Sequence, residues 1–128
     1  MGPGAARRTC AAWTGAQNLC CVDWRHGVVA FRGIPYAQPP VGALRFARPQ
    51  SPNAWSGVRD ATAFGPTAMQ ASSAISDGQS VVVAPTEDCL LLNVWTPALD
   101  GDHRPVLVWL HGGAFVTGAG SMSMSTAP

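Results

Sequence analysis

The chain has 128 residues, 47% of them hydrophobic and 12% charged, with a formal net charge of +1. This length suits one ordinary domain with a core, and so even a charge balance offers no basic field to attract nucleic acid or an acidic membrane. All eight basic residues are arginine, which, beside so much Ala, Gly and Pro, reads as a coding bias.

Residues 1–22 mix Gly, Ala, Arg and Cys with no steady period, so a loosely held or disordered leader is expected. Three of the four cysteines, Cys10, Cys20 and Cys21, fall there, and the fourth is Cys89. No C-x-x-C pair or His-x-His spacing accompanies them, so a zinc site is not expected, and with three of the four in so weakly patterned a leader neither is a disulfide framework. Arg7-Arg8 is followed by a stretch broken by Thr14, Gln17 and Asn18, without the apolar core of a secretory signal. No run approaches the ~20 apolar residues of a membrane helix. The default expectation is a cytoplasmic protein.

Residues 23–27, DWRHG, read as a turn, with His26 exposed on it. Val28, Val29, Ala30 and Phe31 then form a strand near a sheet edge. Prolines at 35, 39, 40, 49 and 52 exclude a helix or a central strand from the next stretch. An irregular surface crossing is expected, pinned by Phe31, Ile34, Tyr36, Leu44 and Phe46. Trp55 and Phe64 are further anchors. Gly57, Gly65-Pro66 and Asp77-Gly78 mark turns, and residues 71–80 suit a short helix or a mobile loop.

Residues 89–95 read as a second strand. A third stands at 106–110, where Val106, Leu107, Val108, Trp109 and Leu110 form an unbroken apolar run between Pro105 and a pair of glycines. Such a run fits a strand buried on both faces. The turn signal Asp100-Gly101-Asp102 makes these two strands antiparallel neighbours. The third strand stops at His111, Gly112, Gly113, Ala114 and Phe115. Glycines there admit backbone conformations closed to other residues, and such a turn is well placed to aim free N–H groups at a developing negative charge. The plainer reading is a tight exit from a core strand.

Four spans decide between these readings. They are Phe31-Arg32-Gly33-Ile34-Pro35-Tyr36-Ala37 with Leu44-Arg45-Phe46, Trp55 with Gly57-Val58-Arg59-Asp60-Ala61, Glu87-Asp88-Cys89-Leu90 with Leu92-Asn93-Val94, and Pro105 through Gly113 with Phe115 and Gly118. Their order and spacing over residues 26–121 resemble the type-B carboxylesterases of the α/β-hydrolase fold, and four independent spans make the match specific. The resemblance implies an α/β fold, here its N-terminal strands, mostly antiparallel with long irregular loops. It divides the chain into a leader, 1–25, and the front part of the hydrolase domain, 26–128. It also implies an ester hydrolase that works by a Ser, an acid and a His on a small-molecule carboxylic ester, without cofactor or metal.

Carried over residue by residue, the resemblance makes the N–H groups of Gly113 and Ala114 the oxyanion-hole donors, with His111 and Gly112 shaping the turn. Ala114 stands where many relatives carry a third glycine. It also implies a structural pair between Arg45 and Glu87, buried if it is to tie the loop to the strand start. The family often bonds the cysteine of E-D-C to one two residues before a glutamine. Ala68 stands at that place before Gln70, so Cys89 is expected to be a small buried thiol. The leader fits the family poorly.

The nucleophile turn G-x-S-x-G does not occur in the sequence. Ser121, Ser123 and Ser125 lack glycines on both sides, and His26, His103 and His111 all precede the region where the family keeps its base. No catalytic nucleophile, acid or base is assignable, so the chain is expected to be the front of a longer enzyme and inactive alone. An unpaired buried strand would leave the isolated chain prone to self-association. The competing reading is a non-catalytic fragment or binding module that keeps the first strands of the fold. A small free-standing globular protein is disfavoured by the same unpaired strand.

Overall fold

A computed structural model describes the backbone of residues 7–13, 18–25, 27–70 and 84–122, with side chains from residue 27 onward. Among the described residues five strands appear, β1 (Arg7–Trp13), β2 (Asn18–Arg25), β3 (Val28–Pro35), β4 (Val58–Asp60) and β5 (Leu91–Thr96), with one 3-10 turn at Gly42–Leu44. They form one sheet in the order β1-β2-β3-β5. Three of the pairings are antiparallel. One side of β2 carries β1 along its length; the other is shared between β3, at residues 23–25, and β4, which runs parallel to residues 19–21.

Two expectations change at the start of the chain. The leader was expected to lack regular structure, and β1 and β2 run through it. Residues 23–25 of the turn expected at 23–27 are the end of β2, and Gly27 (φ 78°) takes the left-handed conformation that a tight reversal uses. Composition hid these strands because their partners are each other and β3, and long-range pairing overrides weak local pattern. β2 and β3 pair through Asp23, Trp24 and Arg25 opposite Ala30, Val29 and Val28. His26 and residues 71–80 lie outside the described residues.

One strand in from the β5 end of the sheet, β3 lies between β2 and β5. Its side chains Val29 and Phe31 face the core, and so does Ile34, out of phase by one residue. A β-bulge resets the phase. Phe31 pairs with Val94 and Ile34 with Leu92, so Arg32 and Gly33 together oppose Asn93. Gly33 has φ 66°, and a Cβ there would meet Ala63 O at 3.1 Å; glycine takes that conformation at little steric cost. The core is Val29, Phe31, Ile34 and Ala61, with Trp55, Leu92 and Val94 packed against it. Fully burying a side chain such as Val, Ile or Phe contributes about 1.5–3 kcal/mol.

Not all expected anchors hold. Tyr36 is exposed, and Phe46 is 97% exposed at φ 58°, its ring beneath the Arg45 guanidinium at 5.5 Å. Size and apolarity do not fix direction in a loop whose conformation is set by prolines and backbone bonds such as Gln38 N–H to Gln50 O, 3.0 Å.

The largest correction concerns residues 106–110. They form no strand, and Val106, Leu107, Val108, Trp109 and Leu110 are 85, 90, 74, 69 and 84% exposed. β5 pairs with β3 instead of with them. A strand apolar on both faces needs a ladder on its edges and layers on its faces, and the described residues provide neither at this run.

Candidate functional site

The turn after residue 110 is left-handed. Gly113 has φ 122°, Ala114 φ 53° and Phe115 φ 61°. The Gly113 carbonyl accepts from the N–H groups of both Val116 (2.9 Å) and Thr117 (3.1 Å). Positive φ at both central residues is what a mirror-image turn requires, and L-residues there cost about 1–2 kcal/mol each. A Cβ on Gly113 would collide with the Thr117 carbonyl, so the sequence keeps glycine where the turn closes most tightly. With the Gly113 carbonyl turned inward to its own loop, the N–H groups of Gly113 and Ala114 make no hydrogen bond among the described residues. Both residues are exposed. Adjacent free N–H groups on a fixed turn can bind an oxyanion.

The remaining members of the loop close it. His111 Nδ1 lies 2.8 Å from the Gly112 carbonyl oxygen. Gly118 (φ 108°) returns against them: a Cβ there would collide with the Gly112 carbonyl and the His111 ring. Gln70 binds Gly118 from outside the loop, accepting its N–H at Oε1 (2.9 Å) and donating Nε2–H to its carbonyl (3.1 Å). Asn93 reaches the same region. Its Oδ1 accepts the Gly33 N–H at 3.0 Å, and its Nδ2 lies 3.4 Å from where a Cβ on Gly120 would stand. Sequence reasoning gave neither Gln70 nor Asn93 a role. A polar residue inside the apolar run LLNVW, paired in register with a glycine-containing strand, is the signal available for Asn93; Gln70 carries none.

Arg45 Nη1 stands 2.6 Å from Glu87 Oε1, with the two side chains 59% and 38% exposed. The pair is therefore a surface ion pair rather than a buried one. Cys89 is half-buried and has no disulfide partner. Burial pushes its thiol above the usual value, followed by the Asp88 carboxylate; a backbone hydrogen bond works against them, and Glu87 adds a still smaller upward push. A raised thiol pKa makes a poor nucleophile at neutral pH. Arg104 binds Asp100 through two hydrogen bonds and reaches Asp102 at 3.1 Å, and the Arg104 hydrogen bond lowers the Asp100 carboxyl to about 2.

No catalytic triad is assembled among the described residues. Ser121 is buried and its Oγ has no hydrogen-bond partner, so no base activates it there. Ser123 and Ser125 lie outside the described residues. Among the described residues no cluster of three His, Cys, Asp or Glu could hold a metal, and no helix is long and apolar enough to cross a membrane.

Known proteins resemble this chain along most of its length. The carboxylesterase family model matches residues 18–127. A phenmedipham hydrolase of Pseudarthrobacter oxydans is 49% identical over 102 residues, covering 75% of this chain and 20% of that protein. A para-nitrobenzyl esterase of Bacillus subtilis is 47% identical over 96 residues, with the same coverages. Among solved structures, a carboxylesterase of Geobacillus stearothermophilus superposes with TM-score 0.75 at 48% identity, covering 89% of this chain and 22% of that one. A thermophilic PNB esterase gives TM-score 0.80 at 38% identity, covering 93% and 24%. The chain thus spans about a fifth of the length of the curated relatives it matches. With its four motif spans, strands β2 to β5 and its glycine turn inside the matched region, the chain belongs to the carboxylesterase family, type B, of the α/β-hydrolase fold.

Proposed function

We propose that this chain serves a carboxylic-ester hydrolase as its oxyanion-loop segment. In this reading the Gly113 and Ala114 N–H groups receive the oxygen of the tetrahedral intermediate. A serine attacks the ester carbonyl, a histidine takes its proton and returns it to the leaving alcohol, and an acid orients the histidine. Nucleophile, base and acid are supplied by residues outside these 128. His111 and Gly112 shape the turn, and the Arg45–Glu87 pair joins the irregular loop to the segment leading into β5. The substrate class is a small-molecule carboxylic ester.

One observation carries the reading: two adjacent N–H groups without acceptors among the described residues, on a turn held left-handed by an inward-bonded Gly113 carbonyl. Hydrolysis of a p-nitrophenyl ester by the protein purified from its native source tests it, with intact mass measured on the same sample. Activity in a species much heavier than 13.3 kDa supports it. A 13.3 kDa product without activity would sink it and leave the second reading, a non-catalytic binding module. That alternative has one observation in its favour, the solvent-exposed apolar run at 106–110.

A further inference from the structure

We infer that Gln70 is a positioning residue for the oxyanion turn, acting through the backbone of Gly118; this rests on the proposed role of Gly113 and Ala114. A single side-chain amide satisfies both backbone groups of Gly118, its Oε1 accepting the N–H at 2.9 Å and its Nε2 donating to the carbonyl at 3.1 Å. The second Nε2 proton goes to the Ala68 carbonyl at 3.2 Å. Two donors to two carbonyls and one acceptor to one N–H fix the amide orientation, because the flipped amide would face oxygen to oxygen twice. The platform beneath Gln70 is itself tied down: the Thr67 carbonyl accepts the Thr86 N–H at 2.9 Å.

Position along the loop turns this clamp into control of the site. Gly118 is the return leg of the loop, and its α-carbon lies so close to the Gly112 carbonyl and the His111 ring that even a Cβ would collide with them. Fixing Gly118 therefore limits how far residues 111–112 can move, and these lead directly into the two donors. Between the legs, Gly113 to Thr117 is closed by bonds to one carbonyl. Among the described residues no acceptor holds the Gly113 and Ala114 N–H groups in place, so their aim depends on the legs. An oxyanion hole works by donors already in position when charge develops, and a small misplacement is enough to slow the chemistry. Gln70 touches neither substrate nor reacting atoms in this arrangement.

The experiment uses the full-length enzyme with Gln70→Met, which keeps the length and removes all three hydrogen bonds, and Gln70→Glu, which keeps the acceptor for the Gly118 N–H. Turnover is measured per active site, counted by titration with an organophosphate, together with KM and the inhibition constant of a trifluoromethyl ketone, whose serine adduct carries an oxyanion. Gln70→Met is expected to lower kcat per titrated site roughly tenfold, less than the 10²–10³ of losing a donor outright. KM should stay within about twofold, and ketone affinity should fall in proportion to kcat. Gln70→Glu should lose less. Damage to folding alone would reduce the number of titrated sites and leave these per-site values unchanged. Unchanged per-site kcat and ketone affinity would overturn the role of Gln70 while leaving the esterase reading intact. If Gln70→Met leaves too few sites to titrate, the same criterion applied to Gln70→Glu decides. A wild-type enzyme without ester hydrolysis would overturn both together.

Discussion

Asn93 accepts the Gly33 N–H at 3.0 Å, sixty residues away in sequence, where the bulge in β3 takes that N–H out of the regular ladder. The two motifs F-R-G and L-N-V are thereby one structural unit. The glycine supplies the positive φ that lets Ile34 return to the core face, and the asparagine replaces the ladder acceptor the bulge removes. Arg32, the other bulged residue, turns its guanidinium to the Thr62 carbonyl at 3.1 Å and over the Phe64 ring at 5.1 Å.

Replacing the asparagine by an apolar residue of similar size should therefore leave a part-buried N–H without its partner. Asn93→Leu is expected to destabilise the fold by about 1–3 kcal/mol. Urea unfolding of the full-length protein should show a lower midpoint with an unchanged slope.

Gly113 permits a more local test. Gly113→Ala puts a methyl group onto the Thr117 carbonyl, so the turn must open and the two N–H groups lose their aim. We expect kcat for ester hydrolysis to fall about 10²–10³, as for loss of one oxyanion donor, with a much smaller change in KM. Steady-state kinetics on a p-nitrophenyl ester checks this.

The Arg45–Glu87 contact is short but largely exposed. Exposed pairs contribute about 0–1 kcal/mol and weaken with salt. Arg45→Ala is expected to shift stability by less than about 1 kcal/mol, with the difference shrinking in ~1 M salt. A larger, salt-insensitive loss in thermal unfolding would point to the lost packing over Phe46.

Asp100 gives a pH prediction with a definite sign. Its carboxyl is held near 2 by Arg104, below the ordinary value of 3.8. A depressed folded-state pKa contributes above the unfolded value and is lost as pH falls through the folded one. The 100–104 turn should keep its form down to about pH 3 and loosen between that and about pH 2. The titration of the Asp100 carboxyl carbon by NMR checks it, and Arg104→Gln should return the midpoint toward 3.8.

Residues 106–110 yield the last prediction. An exposed contiguous apolar run with free backbone groups promotes association. The isolated 128-residue chain is expected to self-associate, and Leu107→Lys, at a side chain 90% exposed, to reduce this. Light scattering against concentration is the measurement, and an equally associated Leu107→Lys would move the interface elsewhere.

The sequence by itself determined the family, through four motif spans, and the two strands that carry the core, now seen as β3 and β5. It also marked the glycine turn, since a need for positive φ is written locally in Gly113 and Gly118. Which strands pair was not local. An apolar run at 106–110 looks the same whether or not a neighbour arrives beside it, and β1 and β2 became visible only through each other. The bulge at Arg32-Gly33 and the clamp from Gln70 to Gly118 join residues 60 and 48 positions apart. Such bonds depend on where distant segments are brought by the sheet and its loops. Tertiary structure alone decided them, because hydrogen bonding is satisfied in space and the pattern of neighbouring residues records only the backbone each residue prefers.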